Sequence, residues 1–308
     1  MTATLTTASW RAYARLAKLD IFDYYLSALV VWSLLAPAAR VDGQHLTVLG
    51  TFLVGEVLLM ATLVALDDRT GYHDGSDLAN HGVDAQAGRL HRKPLLAGTL
   101  TERQVVRFAV LTAALGALLW IVAVVAAPHR PMWTLVVIVV TIVFYPQYSW
   151  GLKVSYRGFQ EVYVAALGWA LFLAPYGLLT GHAPGFVVVQ ALLFGLGPLL
   201  FGVYSNTNDV EGDRAVGRLT VAALASPRGN AVFVGLVSLA ELALILCAPL
   251  AGAPGWFPLV MLPTILLRAN QYRLGFRRLD ILRARRLGGW VHRVTVLTLV
   301  TVNLLGGR

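Results

Sequence analysis

Charge is scarce in this sequence. Of its 308 residues only 13% are charged, where a soluble domain carries about 25%. So little charge cannot cover an aqueous surface, and the mean hydropathy of +0.67 agrees. A soluble globular protein is excluded. There is one cysteine, Cys247, within an apolar stretch, so disulfides and cysteine metal sites are excluded and a packing role is expected for it. Linkers, low-complexity tracts and a separate soluble domain are also missing; the longest polar segment runs from Asp67 to Arg103. The first twenty residues hold Arg11, Arg15 and Lys18 but no apolar core followed by a small-residue cleavage site, so no cleaved signal peptide is expected.

What is abundant is apolar sequence, 57% of the chain, arranged in runs long enough to cross a bilayer at about 17 to 25 residues each. They lie near 22–39, 46–66, 106–127, 131–148, 161–181, 186–205, 231–252, 254–270 and 288–306. The expected fold is therefore all-α: an integral membrane protein of nine transmembrane helices, forming a single domain over residues 1–308. With the N-terminus placed on the cytoplasmic side, 22 of the 25 Lys and Arg residues fall on that side and only Arg40, Arg130 and Arg308 on the other. This is the asymmetry of the positive-inside rule, and misplacing one helix would destroy it. A multi-pass protein of the cell membrane follows, with its N-terminus and functional face cytoplasmic. The net charge of +9 reflects the same asymmetry. Membrane lipid is its ordinary partner. No nucleic acid is expected, because no stacking platform or groove-reading motif accompanies the charge.

Against this background, the stretch "VYSNTNDVEGDRAVG" is unusual. It places Asp209, Glu211 and Asp213 directly after an apolar run, although a charged side chain at membrane depth costs about 2.5 to 3.5 kcal/mol even on mild scales. The second apolar run ends similarly, in "LVALDDRTGYHDGSD", with Asp67, Asp68, Asp74 and Asp77. On a helix, Asp209 and Asp213 share one face and repel. A divalent cation between them relieves the repulsion, and Mg²⁺ takes carboxylate oxygen while keeping substrate phosphate as a further ligand. Asp67 and Asp74 are two helical turns apart, although Gly71 and Gly75 speak against a continuous helix there. The segment "GRLHRKPLLAG" adds Arg89, Arg92 and Lys93, and "YSWGLKVSYRG" adds Lys153 and Arg157 with Tyr148 and Tyr156. Acids to hold a metal and fixed cations to take phosphoryl oxygens suit a diphosphate. Since the cavity opens between apolar helices, the remainder of the substrate is apolar, and a polyprenyl diphosphate meets both requirements.

These segments resemble four motifs of the UbiA superfamily of membrane prenyltransferases, in the same order along the chain. "NDVEGDRAVGRLTV" looks like the second aspartate motif, "RKPLLAGTLT" like the R-P-L-x-x-G segment with Lys93 at the arginine position, and "YSWGLKVSYRG" like the segment that places Tyr148 and Lys153. "DDRTGYHDGSD" is similar to N-D-x-x-D-Y-x-x-G-x-D, with Asp67 at the family's Asn and Gly71 at its second Asp. The resemblance implies a nine-helix bundle around a central cavity open to the cytoplasmic side. It also implies Mg²⁺ on both aspartate motifs, here Asp67, Asp68, Asp74, Asp77, Asp209 and Asp213, with Asp74 as the substitute for the acid missing at Gly71. Arg92, Lys93, Lys153 and Asn208 bind the diphosphate; Asp68, Asp209, Asp213, Lys153 and Tyr148 are the catalytic set. The implied reaction ionises a prenyl diphosphate to an allylic cation, which a small-molecule acceptor, aromatic or a quinone precursor, captures. Tyr145, Trp150 and Trp169 are candidates for cation–π contact with it.

Other readings stand beside these. A terpene cyclase of the same superfamily needs no acceptor, and the altered first motif favours such variants. Nine helices with buried acids also suit a secondary transporter, although its sites usually lie at the midplane. Asp209 and Asp213 could be a solvated helix end paired with Arg214, and Arg92 and Lys93 could be membrane anchors, as the basic run Arg277 to Arg286 is expected to be. His73, His81 and His91 are spaced too irregularly for a zinc site and are expected to be polar loop residues or diphosphate donors. Glu56 and Glu241 fall within predicted spans, where an ionisable group is a functional candidate by default; both stay outside the catalytic set.

Overall fold

A computed structural model describes residues 10–18, 23–81 and 93–306, with helices as the only regular secondary structure among them. In chain order these are α1 (Trp10–Ala17), α2 (Leu26–Leu34), α3 (Pro37–Val41), α4 (Gly43–Asp74), α5 (Ser76–His81), α6 (Glu102–Ala126), α7 (Met132–Phe144), α8 (Gln160–Thr180), α9 (Gly185–Asn208), α10 (Val210–Ala215), α11 (Val221–Leu224), α12 (Pro227–Cys247), α13 (Phe257–Val260), α14 (Leu262–Tyr272) and α15 (Ile281–Gly306).

Every apolar run of the sequence contains a helix, but among the described residues only α4, α6, α8, α9 and α12 are long and apolar enough to cross a membrane by themselves. The others fall short for local reasons. Pro37 opens a separate short helix after α2, and the chain turns at Pro146 after α7 into a short 3₁₀ segment. Helix α15 is long, but His292, Arg293 and Asn303 dilute its apolar face. Some helix starts carry a side-chain cap. Thr101 and Gln104 form a capping box at α6, and Ser226 accepts the Gly229 amide ahead of Pro227 at the start of α12.

The five long helices divide into inner and outer ones. The spanning windows of α4, α8 and α9 are 67%, 61% and 61% buried, against 28% for α6 and 22% for α12. Leu111, Leu115 and Leu118 on α6 and Leu236, Leu239 and Leu246 on α12 point outward, as lipid-facing side chains do. Cys247 belongs to this outer surface. Its expected packing role is thus corrected: an apolar neighbourhood in sequence became an apolar exterior, because α12 is a peripheral helix. Inside, Trp120, Tyr145, Phe172 and Phe194 anchor the main core. Helices α8 and α9 cross so closely that a Cβ on Gly168 would lie 2.6 Å from the Gly195 Cα, the small-residue contact that membrane helices use in place of hydrophobic attraction. Some polar groups in the bundle are paired: Gln190 and Asn303 exchange hydrogen bonds, and Arg268 holds Glu241 through two bonds of 2.6 and 2.8 Å.

Candidate active site

The acidic segments meet at one end of the bundle because α5, which continues the first, packs against α10, which continues the second. Helix α4 runs unbroken past Gly71 and stops only at Gly75, whose φ of 81° terminates it in the left-handed conformation. The break weighed at Gly71 is absent. Gly71 is instead a place of close approach: a Cβ there would fall 2.7 Å from the Asp77 carboxyl carbon and within 3.0 Å of both its oxygens. The Asp77 carboxyl occupies the space into which any side chain at position 71 would grow.

Each first-segment acid is engaged by a neighbouring side chain, and Asp68 and Asp77 share Lys93. Asp67 accepts from Arg218 at 2.9 Å. Asp68 is 1% exposed and takes the ammonium groups of Lys18 and Lys93 on one oxygen, at 2.7 and 2.8 Å, while its other oxygen has no hydrogen-bond partner. Lys93 also reaches Asp77, at 2.7 Å. Asp74 is turned elsewhere: it accepts from the Tyr156 hydroxyl and from the Ser76 amide.

In the second segment, Asp209 stands at the junction of α9 and α10, and the Asp213 amide still donates to its carbonyl at 2.9 Å, so helical spacing survives. Asp213 is 3% exposed and accepts from the Thr220 hydroxyl. Beyond α10 the chain reverses at Gly217, φ 69°, and the Arg218 amide closes onto the Asp213 carbonyl at 2.8 Å. This turn brings the Arg218 guanidinium over the Tyr156 ring, 4.6 Å from its centroid, and onto Asp67. The Lys153 ammonium lies 5.4 Å from the same ring. Lys153 itself has a left-handed backbone, φ 49°, a conformation that costs a non-glycine residue about 1 to 3 kcal/mol and clusters at functional sites. Asn208 donates to Asp209 at 2.8 Å, and the Tyr148 ring packs on Tyr163 with centroids 5.2 Å apart.

The mouth holds more negative charge than its own cations neutralise. Burial, and then the neighbouring Asp68, keeps the Asp77 carboxyl above its ordinary range in spite of Lys93. Asp213 is pushed up to about 6 by burial, which Arg218 opposes and Asp209 reinforces. Burial alone would lower Lys93 and Arg218, yet the carboxylates around them, Asp68 and Asp77 for one and Asp67 for the other, hold both well above their usual values. Among the described residues no three acidic or histidine side chains converge into a ready metal cage; Lys18, Lys93 and Arg218 stand between the acids. The donor set nonetheless fits a hard cation: it is all carboxylate oxygen, in surplus, with one buried oxygen of Asp68 unpartnered.

Of the expected residues, Asp67, Asp68, Asp77, Asp209, Asp213 and Lys93 gather here, with Lys153 at the rim. Arg92 and His91 lie outside the described residues, as does the His81 side chain, and His73 is engaged with Glu102 at 2.9 Å. Two central residues went unnoticed in the sequence. In the sequence Lys18 and Arg218 are indistinguishable from topological charge; the one signal for Arg218 is its place at the end of "GDRAVGR", beside a glycine that turns the chain. Of the aromatic candidates, Tyr145 is fully buried against Trp120 and Trp150 is half exposed.

Residues 24–290 match the profile of the UbiA prenyltransferase family. The chain belongs to this family. No curated protein matches it, but solved structures of similar fold do. A UbiA homologue from Aeropyrum pernix K1 in its apo form has a TM-score of 0.67 at 13% identity, over 90% of this chain and 96% of that one. A UbiA homologue from Archaeoglobus fulgidus bound to GPP and Mg²⁺ gives 0.65 at 13%, over 94% and 99%. A digeranylgeranylglyceryl phosphate synthase gives 0.64 at 12%, over 96% and 99%. This UbiA-family protein therefore shares its architecture with these structures over nearly its full length, and its apolar helices make it a multi-pass membrane protein.

Proposed function

We propose that this UbiA-family protein transfers a prenyl group from a prenyl diphosphate to a small-molecule acceptor, aromatic or a quinone precursor. The observation that carries the reading is the meeting of both acid segments at one mouth with Lys18, Lys93 and Arg218 interleaved among them. A UbiA homologue of like fold binds GPP together with Mg²⁺. Asp67, Asp68, Asp77, Asp209 and Asp213 are the residues that would hold Mg²⁺ here; when bound, the metal offsets charge on the departing diphosphate. We assign the place of the absent residue-71 acid to Asp77 rather than Asp74, since both Asp74 oxygens already serve Tyr156 and Ser76.

The chain's own residues then have definite tasks. Lys18, Lys93 and Arg218, which pair with the carboxylates, take non-bridging oxygens of the diphosphate once the acids are otherwise engaged, joined by Lys153 and Asn208 at the rim and by Arg92, which lies outside the described residues. The bond between the first prenyl carbon and oxygen breaks with its electron pair leaving on the diphosphate. Tyr148 faces the resulting allylic cation, and the apolar bundle keeps water from it. Capture by the acceptor releases a proton and completes the transfer.

The test is a membrane assay with Mg²⁺ and labelled geranyl, farnesyl and geranylgeranyl diphosphates, with and without aromatic acceptors, read by mass spectrometry against Asp209→Ala. A prenylated adduct formed by the wild type and missing from the variant is expected. A cyclised product made without any acceptor would replace transfer by cyclisation, and turnover that survives both Asp209→Ala and Asp213→Ala would remove the site.

A further inference from the structure

Away from the acidic mouth, α12 and α14 splay apart and leave a groove of about 510 Å³ between them, within the range of about 300 to 1,000 Å³ typical of ligand sites. Its walls are apolar, with Leu239, Leu242 and Ile245 on one side and Ile265 on the other. Gly235 and Ile245, at its two ends on α12, are separated by about 15 Å of helix rise. Because α12 is a peripheral helix with outward leucines, the groove opens where the bilayer lies.

Charge is distributed unevenly along it. At the floor, Arg268 is held by Glu241, through bonds of 2.6 and 2.8 Å, and by Gln271, so the charge of this guanidinium is already compensated. At the end of α14, Arg273 and Arg277 line the groove without compensation. Arg273 shares one N–H with the neutral Asn270, and Arg277 has no ion-pair partner among the described residues. Asp280, the nearest acid in sequence, caps the Arg283 amide at 3.0 Å. Both arginines sit on a π-helical turn, Arg273–Arg277, a wide turn that is rare and frequent at functional sites. The turn is held by its buried Leu274 and Gly275, with the Tyr204 ring against Gly275.

We propose that this groove binds an anionic diacyl phospholipid, its phosphate on Arg273 and Arg277 and one acyl chain along α12. Basic pockets between membrane helices recognise lipid head groups in this way. A prenyl diphosphate has similar amphipathic chemistry, but the one carboxylate lining the groove among the described residues, Glu241, is closed on Arg268, so none of them is an acid free to hold a metal with a diphosphate. The inference is independent of the proposed reaction.

The full-length protein is reconstituted in nanodiscs of equal phosphatidylglycerol and phosphatidylcholine, released, and its retained lipids counted by native mass spectrometry. The wild type is expected to prefer phosphatidylglycerol by about tenfold, because its head group is a net anion for the two arginines, whereas the choline of phosphatidylcholine cancels its phosphate and brings a cation beside them. Arg273→Gln/Arg277→Gln is expected to bring the ratio to parity at an unchanged unfolding temperature. Ser238→Phe, which fills the groove at a residue whose hydroxyl bonds only its own helix, is expected to abolish retention altogether. Equal retention of the two lipids by the wild type, or a preference that persists in the arginine variant, overturns the proposal. So does displacement of the phosphatidylglycerol by equimolar geranylgeranyl diphosphate, which would mark the groove as a donor site.

Discussion

Asp68 is the most deeply buried of the site carboxylates, and two ammonium groups depend on it. Removing one partner of a buried pair costs about 3 to 5 kcal/mol, because the charge left behind stays buried. Asp68→Ala is therefore expected to lower thermal stability in detergent as well as activity. Asp68→Asn, which keeps an acceptor oxygen for the two lysines, should lose activity with a smaller fall in unfolding temperature; equal falls would show that the pairs do not support the fold. Position 71 offers a second test. Gly71→Ala pushes a methyl group into the Asp77 carboxyl, and is expected to raise the Mg²⁺ concentration for half-maximal turnover by about tenfold, a typical cost of disturbing a metal ligand's surroundings. Gly71→Asp combined with Asp77→Gly moves the acid back along the chain while keeping its place in space, and should recover part of what either change loses alone. The acids themselves were legible in the sequence, since an aspartate beside an apolar run is conspicuous. Of their charged partners only Lys93 was legible; Lys18 and Arg218 look like any other membrane-flanking base until the chain is folded.

Among the elements, the crossing of α8 and α9 is the contact least tolerant of change. A Cβ at Gly195 would lie 2.3 Å from the Trp169 ring and 2.6 Å from the Ala165 carbonyl oxygen. Overpacking of a close contact costs about 1 to 3 kcal/mol. Gly195→Leu is expected to lower the unfolding temperature by several degrees and, because α9 leads directly into Asp209, to reduce turnover as well. Unchanged stability would mean that the two helices separate freely. Hydropathy located these helices well, since an apolar run is a local signal. It did not show which would lie inside, because α6 and α12 are as apolar as α4 and α9 and differ only in what they pack against. Helix continuity at Gly71 was illegible for a related reason: glycine weakens a helix by about 1 kcal/mol, an amount that packing against α6 and the seat of Asp77 readily offset.

For the whole molecule, the positive-inside asymmetry predicts that the acidic mouth faces the cytoplasm. After Cys247→Ser, single cysteines at Arg157, beside the mouth, and at Arg130, at the opposite loop, should react oppositely with a membrane-impermeant maleimide. Arg157→Cys is expected to label only in inverted vesicles and Arg130→Cys only in right-side-out ones; the reverse pattern would invert the topology. What the sequence determined by itself is the membrane class, the helical runs and the presence of two acid segments with basic companions, all set by residue type within a few turns of chain. Tertiary structure alone decided which charges meet. Arg218 and Asp67 are 151 residues apart and Lys18 and Asp68 are 50, and such pairings depend on how apolar helices seat against one another, through contacts of similar energy whose partners leave no mark in residue order.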